Sequence, residues 1–485
     1  MIILGVILFS FNGLHSLSSE KPNIIVILAD DMGFDSVSSN NSKIGNMKTP
    51  CIDRLMEQGM RFSDAHSGSA VCTPTRYGLL TGRYCWRSRL KRAVLWEWAA
   101  PLIEKGRFTI AELLRREGYA TGMIGKWHLG MGWHGRDGKI VNDTLGLEDA
   151  WFMGEASLKR IRKVERSIDF SRPVTGGPVD NGFDFYFGVD VPNFPPYAWI
   201  VNNRVQGKKL VPKPETMFGA PGPMVPGWKL ENILPRLSVE ADRWITRQGK
   251  TGKPFFLYFS LTSPHAPIAP SKRFKGRSGI SDYADFVMET DAVVGDIMEV
   301  LDREGLADKT LLIFTTDNGT SPEADFRNLE KHGVDLHNHF SGHKMSIQEG
   351  GHRVPFVVRW PGKVKAGAQC EETVCLTDLM ATFADILSCG LPENAGEDSF
   401  SILPLFLGKG KDSPIRPPVV HHDTDGNFAI RKGGWKFYER GQLYNLREDV
   451  KERKNVARNH PGIVKELSDV LKSYRQEDRS IPLKR

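Results

Sequence analysis

Three stretches of the chain are apolar at nearly every position, and each runs straight into residues able to do chemistry. Asn23–Ala29 reads Asn-Ile-Ile-Val-Ile-Leu-Ala and stops at Asp30 and Asp31; Phe255–Leu261 is followed by Ser263, Pro264 and His265; Thr310–Thr316 runs into Asp317, Asn318 and Gly319. Apolar runs without alternation predict strands buried on both faces, as in a parallel sheet covered by helices. Between the second and third runs, Phe286, Val287, Val294, Ile297, Met298 and Leu301 recur at helical spacing and Gly305 supplies a stop. A strand–helix–strand unit and an α/β domain follow, with ligands expected beyond the carboxyl ends of the strands.

The patterning weakens elsewhere. Asp169 to Pro226 is rich in Gly, Pro and aromatics with little periodicity, and reads as long loops walling a pocket. After a Gly, Asp and Ser passage near Pro392 to Ser413, strand-like pieces at Phe428–Arg431 and Trp435–Tyr438 and a helix from Ile463 to Tyr474 predict a small C-terminal domain. The expected division is a catalytic domain over 20–405 and a small domain over 406–485. At the other end, Ile2–Phe11 is too short to cross a bilayer, which takes about 20 residues. It fits the apolar core of a signal peptide over 1–19, with Ser16 and Ser18 before a cleavage point near Ser19, although no Lys or Arg precedes it. Export, periplasmic or secreted, is the expectation, and no later segment reads as a stable membrane insertion.

Composition adds only bounds. With 485 residues and 40% hydrophobic content the chain can bury a large core, and a net charge of +7 is modest for that length. The basic runs Arg87 to Arg92 and Lys159 to Arg166 read as solvated helix faces that would also favour an anionic partner. No zinc-finger spacing, basic heptad or RNA-binding aromatic motif supports a nucleic-acid partner. Six cysteines are too few for a disulfide scaffold in a chain this long; Cys370 with Cys375, or Cys51 with Cys85, are conceivable pairs. Of the glycosylation sequons, Asn318-Gly319-Thr320 abuts a buried strand, which leaves Asn142-Asp143-Thr144 and Asn40-Asn41-Ser42 as the better acceptors.

Asp30 and Asp31 repel each other unless a cation or a lysine compensates, and hard divalent ions prefer such oxygens. A helix cap or turn is the competing reading of the pair alone. Asp317 and Asn318 at a second strand end strengthen the metal reading, because four oxygen ligands then converge on one sheet edge.

The most specific signal is Ala70-Val71-Cys72-Thr73-Pro74-Thr75-Arg76-Tyr77-Gly78-Leu79-Leu80-Thr81-Gly82. It resembles the signature of type I, formylglycine-dependent sulfatases, in which Cys-x-Pro-x-Arg directs oxidation of the cysteine. A second family motif stands at Gly118-Tyr119-Ala120-Thr121-Gly122-Met123-Ile124-Gly125-Lys126-Trp127-His128. A third joins Gly342-His343-Lys344 to Glu349-Gly350-Gly351-His352-Arg353-Val354-Pro355. The resemblance runs from about Lys21 past Pro361 in the family's order. The one departure is Thr at both variable positions of the Cys72 core, where Ser before the Arg is commoner.

The resemblance implies an alkaline-phosphatase-like α/β/α sandwich with a large, mostly parallel mixed sheet, plus a small C-terminal α+β domain with an antiparallel sheet. It implies a sulfatase acting on a sulfated carbohydrate or aryl sulfate, of the arylsulfatase and N-acetylgalactosamine-6-sulfatase kind. Metal ligation falls to Asp30, Asp31, Asp317, Asn318 and the oxidised Cys72, around one divalent ion, calcium or alternatively magnesium. The hydrated formylglycine attacks sulfur; Arg76, Lys126 and Lys344 steady the sulfate oxygens; His265 or Lys344 protonates the leaving oxygen. His128 deprotonates the second hydroxyl so that sulfate is expelled. A formylglycine-generating or anaerobic sulfatase-maturing enzyme is an implied partner. Two alternatives remain at this level: a phosphoester or phosphonate hydrolase of the same superfamily, and a non-catalytic binder of sulfated glycans. His421, His422 and Asp423 are read either as sugar-site residues or as a buried structural group.

Overall fold

The computed structural model describes residues 21–143, 155–207, 209–409 and 415–481. All three apolar runs form strands, Asn23–Ala29, Phe255–Ser260 and Thr310–Thr316, every residue of them buried. They lie at the centre of a ten-stranded sheet. Five strands are parallel there, in the spatial order Phe185–Val189, Ala120–Lys126, Phe255–Ser260, Asn23–Ala29 and Thr310–Thr316. Phe356–Arg359 adds antiparallel to the last of these, so the sheet is mixed. Register matters most at one edge. Ala29 pairs with Thr316, Leu28 with Ser260, and Ser260 with Gly125, which brings Asp30, Asp317 and Lys126 level beyond the strand ends.

Because successive residues of a strand face opposite ways, each central strand feeds two cores. Ile24, Val26, Leu28, Tyr258 and Ile313 face Tyr77, Leu80, Leu114 and Phe383. These belong to the helices Cys72–Thr81, Ile110–Arg116 and Leu379–Ile386. Ile25, Ile27, Leu257, Phe259 and Phe314 face Leu55, Leu237, Ala241, Val294 and Ile297 on the helices Pro50–Gln58, Ile233–Gly249 and Asp282–Arg303. Each such side chain contributes roughly 1.5–3 kcal/mol by leaving water. A charge at Ile27 would forfeit that and bury an unpaired ion. Gly125 in the second motif allows the closest strand approach: a Cβ there would lie 1.6 Å from the Ser260 carbonyl oxygen, at a φ of +116°.

The C-terminal region is a four-stranded antiparallel sheet, Val419–His422, Phe428–Lys432, Trp435–Tyr438 and Leu443–Asn445, backed by the helix Pro461–Gln476. Its core of Val420, Ile430, Phe437, Leu467 and Leu471 also takes in Tyr84, Trp86 and Cys375, so it is packed onto the large layer.

Several expectations change. The stretch from Asp169 to Pro226 is not loop throughout: Phe185–Val189 inserts in register beside Ala120–Lys126, its five residues too few to show a period. Arg87 is no solvated face, since its side chain is 3% exposed and held by Asp398 at 2.8 Å. None of the six cysteines forms a disulfide. Cys51 abuts Gly295 on one side of the sheet whereas Cys85 lies in the core on the other, and Cys370 and Cys375 belong to strands of different sheets. Asn142 is fully buried, its amide bonded to the carbonyls of Trp98 and Met131, which closes that sequon. The signal-peptide expectation lies outside the described residues. Among those described, no helix is long and apolar enough to cross a membrane.

Candidate active site

Parallel strands end together, and their C-terminal edge collects the polar residues that the apolar runs deliver. Asp30 and Asp31 leave the Asn23–Ala29 strand, Asp317 and Asn318 the Thr310–Thr316 strand, Lys126 ends Ala120–Lys126 and Ser260 ends Phe255–Ser260. The helix Cys72–Thr81 starts at this edge with Val71 as its cap, so the first-turn amides and the positive end of the helix dipole surround Cys72. One turn on, Arg76 reaches back over the strand ends.

The contacts form a closed net. The Arg76 guanidinium donates to Asp317 Oδ2 at 2.6 and 3.1 Å and lies 3.2 Å from Asp30 Oδ1. Lys126 Nζ holds Asp30 Oδ2 at 2.7 Å, and Lys344 Nζ holds Asp31 Oδ2 at 2.7 Å. The Asn318 amide nitrogen donates to Asp31 Oδ1 at 2.8 Å. Cys72 Sγ is 4.0 Å from that same oxygen, and His265 Nε2 is 3.8 Å from Asp31 Oδ2. Ligand atoms of Asp30, Asp31, Cys72 and His265 all lie within 4.8 Å of one another. Asp31 and His128 adopt left-handed φ values of 65° and 54°, strained for L residues and held by these contacts.

Asn318 Oδ1 and His128 Nδ1 are buried with no hydrogen bond, and Asp30 Oδ1 has none beyond its ion pair with Arg76. Oxygens with spare lone pairs beside a cluster of carboxylates are the donor set a hard divalent cation takes. Burial and then Asp30 push Asp317 up to about 7. Asp30 itself is held well below the carboxylate range against its own burial, by Lys126, His265 and Arg76. Like charges forced together in this way are relieved by a cation. Burial raises the Cys72 thiol far out of the range where it would be a thiolate, so an unmodified Cys72 is a poor nucleophile. Burial, with Lys126, brings His265 down to about 4, and burial also holds His128 well below its usual value; both rings are neutral at pH 7.

A family model described as Sulfatase matches residues 22–389. This chain belongs to the sulfatase family. A second model, described as the C-terminal part of N-sulphoglucosamine sulphohydrolase, matches residues 337–477. The sulfatase is 34% identical to an N-acetylgalactosamine-6-O-sulfatase of Bacteroides thetaiotaomicron across 94% of both chains. It is 32% identical to human arylsulfatase A over 88% of this chain and 77% of that one. A solved structure from work on glycosaminoglycan metabolism by Bacteroides thetaiotaomicron superimposes with a TM-score of 0.80 at 31% identity, covering 95% of this chain and 100% of the other. The sulfatase is thus a sulfuric ester hydrolase with the alkaline-phosphatase-like fold.

The structure brings Asp30, Asp31, Cys72, Arg76, Lys126, His265, Asp317, Asn318 and Lys344 together in this net, with His128 beside it. Two partners were not anticipated. Ser260 bonds both Arg76 and the Lys126 carbonyl, and Asp190 accepts the His128 amide at 3.1 Å. Ser260 sits at the end of a legible apolar run, which is the signal that would have found it; Asp190 follows the Phe185–Val189 strand, which no sequence pattern marks. His421 and His422 are buried rather than lining an open sugar site. His421 stacks on His352 at 4.0 Å between ring centroids, and His352 Nδ1 is 2.9 Å from His66 Nδ1. Their backbone nevertheless braces the site, because the His422 carbonyl accepts the Ala70 amide.

Proposed function

We propose that this enzyme removes sulfate from a sulfated carbohydrate through a formylglycine made from Cys72, with one divalent metal held by Asp30, Asp31, Asp317, Asn318 and an oxygen of the modified Cys72. The observation that carries this reading is Cys72 at a helix start, 4.0 Å from Asp31, with ligand atoms of Asp30, Asp31 and Cys72 within 4.8 Å of one another. Its sulfur stands where the oxidised residue would present oxygen. Once hydrated, that aldehyde supplies one hydroxyl to attack sulfur and a second whose deprotonation releases sulfate. The cation, calcium in this reading with magnesium the alternative, lowers the cost of the first deprotonation. A formylglycine-generating or anaerobic sulfatase-maturing enzyme is the proposed source of the modification.

The remaining roles fall to the chain's own groups. Arg76, Lys126 and Lys344 carry the positive charge that offsets charge building on the sulfate oxygens. His128 donates from Nε2 to the Leu95 carbonyl at 3.0 Å and keeps a bare Nδ1, a base ready to take a proton. His265 Nδ1 is turned to the Ala266 carbonyl, which leaves Nε2 as an acceptor. Lys344 is therefore the proposed proton source at the leaving oxygen, with His265 positioning it. The carbohydrate class is supported by the N-acetylgalactosamine-6-O-sulfatase relative. Export, periplasmic or secreted, and a boundary near residue 406 between catalytic and C-terminal domains complete the reading.

The test pairs mass spectrometry of the Cys72 peptide with release of sulfate from sulfated N-acetylhexosamines and of phosphate from matching phosphate esters. The expected result is an aldehyde at residue 72 and preference for sulfated sugars. A thiol at residue 72 in active enzyme, or preference for phosphate, overturns the proposal.

A further inference from the structure

Among the described residues, the ring of His128 makes one hydrogen bond. Nε2 donates to the Leu95 carbonyl at 3.0 Å, while Nδ1 is buried with no partner. The main chain of His128, at a φ of 54°, is held separately: its amide reaches both the carbonyl and Oδ1 of Asp190 at 3.1 Å. A carbonyl only accepts, so the proton sits on Nε2 and Nδ1 keeps its lone pair. The tautomer and the direction of the ring therefore depend on where the Leu95 carbonyl stands.

Leu95 belongs to no helix or strand, so no ladder of backbone bonds places it. Its amide, in a residue that is 1% exposed, donates to Thr73 Oγ1 at 3.2 Å. Thr73 is itself fully buried, in the first turn of the helix Cys72–Thr81. Two residues before Leu95, the Ala93 amide is tied to the Thr424 carbonyl at 2.7 Å, which leaves the Thr73 hydroxyl as the anchor nearest the Leu95 carbonyl. A buried amide that loses its acceptor pays the full cost of leaving water, so without that hydroxyl the Leu95 peptide turns away to find another partner.

The contacts run from the nucleophile back to its base. They begin at Thr73, the residue bonded to Cys72, and pass through Leu95 to the ring proposed to act on residue 72. In that step His128 Nδ1 takes the proton of the free hydroxyl on residue 72, the carbon–oxygen bond to sulfate breaks with its electron pair leaving on sulfate, and a carbonyl forms.

We infer that Thr73 is a positioning residue for sulfate release: through Leu95 its hydroxyl holds the His128 ring in the tautomer that leaves Nδ1 free. This rests on the proposed formylglycine reading and deepens it, because the first variable position of Cys72-Thr73-Pro74-Thr75-Arg76 gains a task of its own.

The test compares Thr73→Val, Thr73→Ser and His128→Ala with the wild type on a sulfate ester that the wild type turns over, nitrophenyl sulfate or a sulfated N-acetylhexosamine. Rates are referred to the aldehyde found at residue 72 by mass spectrometry. In Thr73→Val, kcat falls about 10-fold or more, the scale of a small misplacement. KM falls with it, so kcat/KM stays within about 2-fold, since only the second step is slowed. The first turnover still releases the alcohol in a burst, and protein carrying one sulfo group accumulates, as it does in His128→Ala. Thr73→Ser restores most of kcat. A second measurement needs no aldehyde and decides the matter if Thr73→Val is poorly oxidised: NMR of the ring nitrogens in isotope-labelled histidine. The His128 signals, identified by their loss in His128→Ala, report a protonated Nε2 and a bare Nδ1 in the wild type and in Thr73→Ser, and a mixture of tautomers in Thr73→Val. Wild-type kcat in Thr73→Val overturns the inference, as do unchanged His128 signals, or a kcat/KM that falls as far as kcat with no sulfated protein. A His128→Ala enzyme that accumulates no sulfated protein removes His128 from sulfate release, and the inference with it.

Discussion

The molecule buries two polar clusters of similar make-up, and they behave in opposite ways. One is the catalytic net of Asp30, Asp31, Asp317, Arg76, Lys126 and Lys344. The other, on the far side of the Cys72 loop, gathers Asp64, Glu349, Glu452, Arg353, Arg431 and Lys436 around His66, His352 and His421. In the second cluster the cations separate the acids: Arg431 bridges Asp64 and Glu349 at 2.9 Å each, and Lys436 bridges Glu349 and Glu452 at 3.0 and 2.8 Å. Asp64 and the fully buried Glu349 are accordingly both held well below the carboxylate range, Asp64 by Arg353 and Arg431 and Glu349 chiefly by Lys436. In the proposed catalytic net Asp30 and Asp317 share Arg76, and one is driven down and the other up. Acids kept apart by separate cations hold elements together; acids pressed onto one shared guanidinium favour a further cation.

That contrast is tested most severely at Cys72. Cys72→Ala should cut turnover by at least about 10⁴-fold, with only a small fall in melting temperature, because Asp30, Asp31, Asp317 and Asn318 remain to hold the metal. A melting temperature that falls in step with activity would mean that Cys72 is structural. Chelation should come next: dialysis against EDTA stops turnover, and added calcium or magnesium restores it. Bound metal at about 100 times its dissociation constant stabilises by roughly 2.7 kcal/mol, so the apo enzyme should also melt earlier. Full activity after exhaustive chelation contradicts a metal role for Asp30 and Asp317.

The second cluster should answer differently. Glu349→Gln removes the carboxylate that three cations share and should cost about 3–5 kcal/mol, read by urea denaturation. The folded fraction should keep its turnover. A variant as stable as the wild type but inactive would move Glu349 into the active site. The smallest effect is one of pH. Burial brings His66 down to about 4, so the fold holds it neutral while the unfolded chain takes up its proton near 6.5. A histidine depressed in the fold contributes stability that is present above its unfolded pKa and lost as pH falls from 6.5 towards 4. At pH 5, His66 alone accounts for about 2 kcal/mol, and His352 and His421, depressed further by burial, act in the same direction. Equal unfolding free energies at pH 7 and pH 5 would contradict the neutral assignment.

The catalytic net was legible in the sequence to an unusual degree, because its residues stand immediately after apolar runs or within contiguous motifs. Period and length alone mark Asn23–Ala29 and Thr310–Thr316 as buried strands, and a strand's end fixes where Asp30 and Asp317 go. The Phe185–Val189 strand was not legible, since five residues carry too little periodicity to separate strand from loop. Nor was the second cluster: His66, Glu349, His421 and Lys436 are scattered over some 370 positions, and nothing local marks any of them as partners.

What the sequence determined by itself is where the buried strands lie and the chemistry at their ends, while the reading of Cys72 came from the likeness of its motif to the sulfatase signature. Strand positions are local matters, set by side-chain type and by period. Only the tertiary structure decided which charges meet which. It separated Asp64 from Glu349 with Arg431 yet pressed Asp30 towards Asp317, buried Asn142 and His421, and brought the Leu95 carbonyl to His128. Pairing across hundreds of residues depends on strand order and register, and so it belongs to the folded chain.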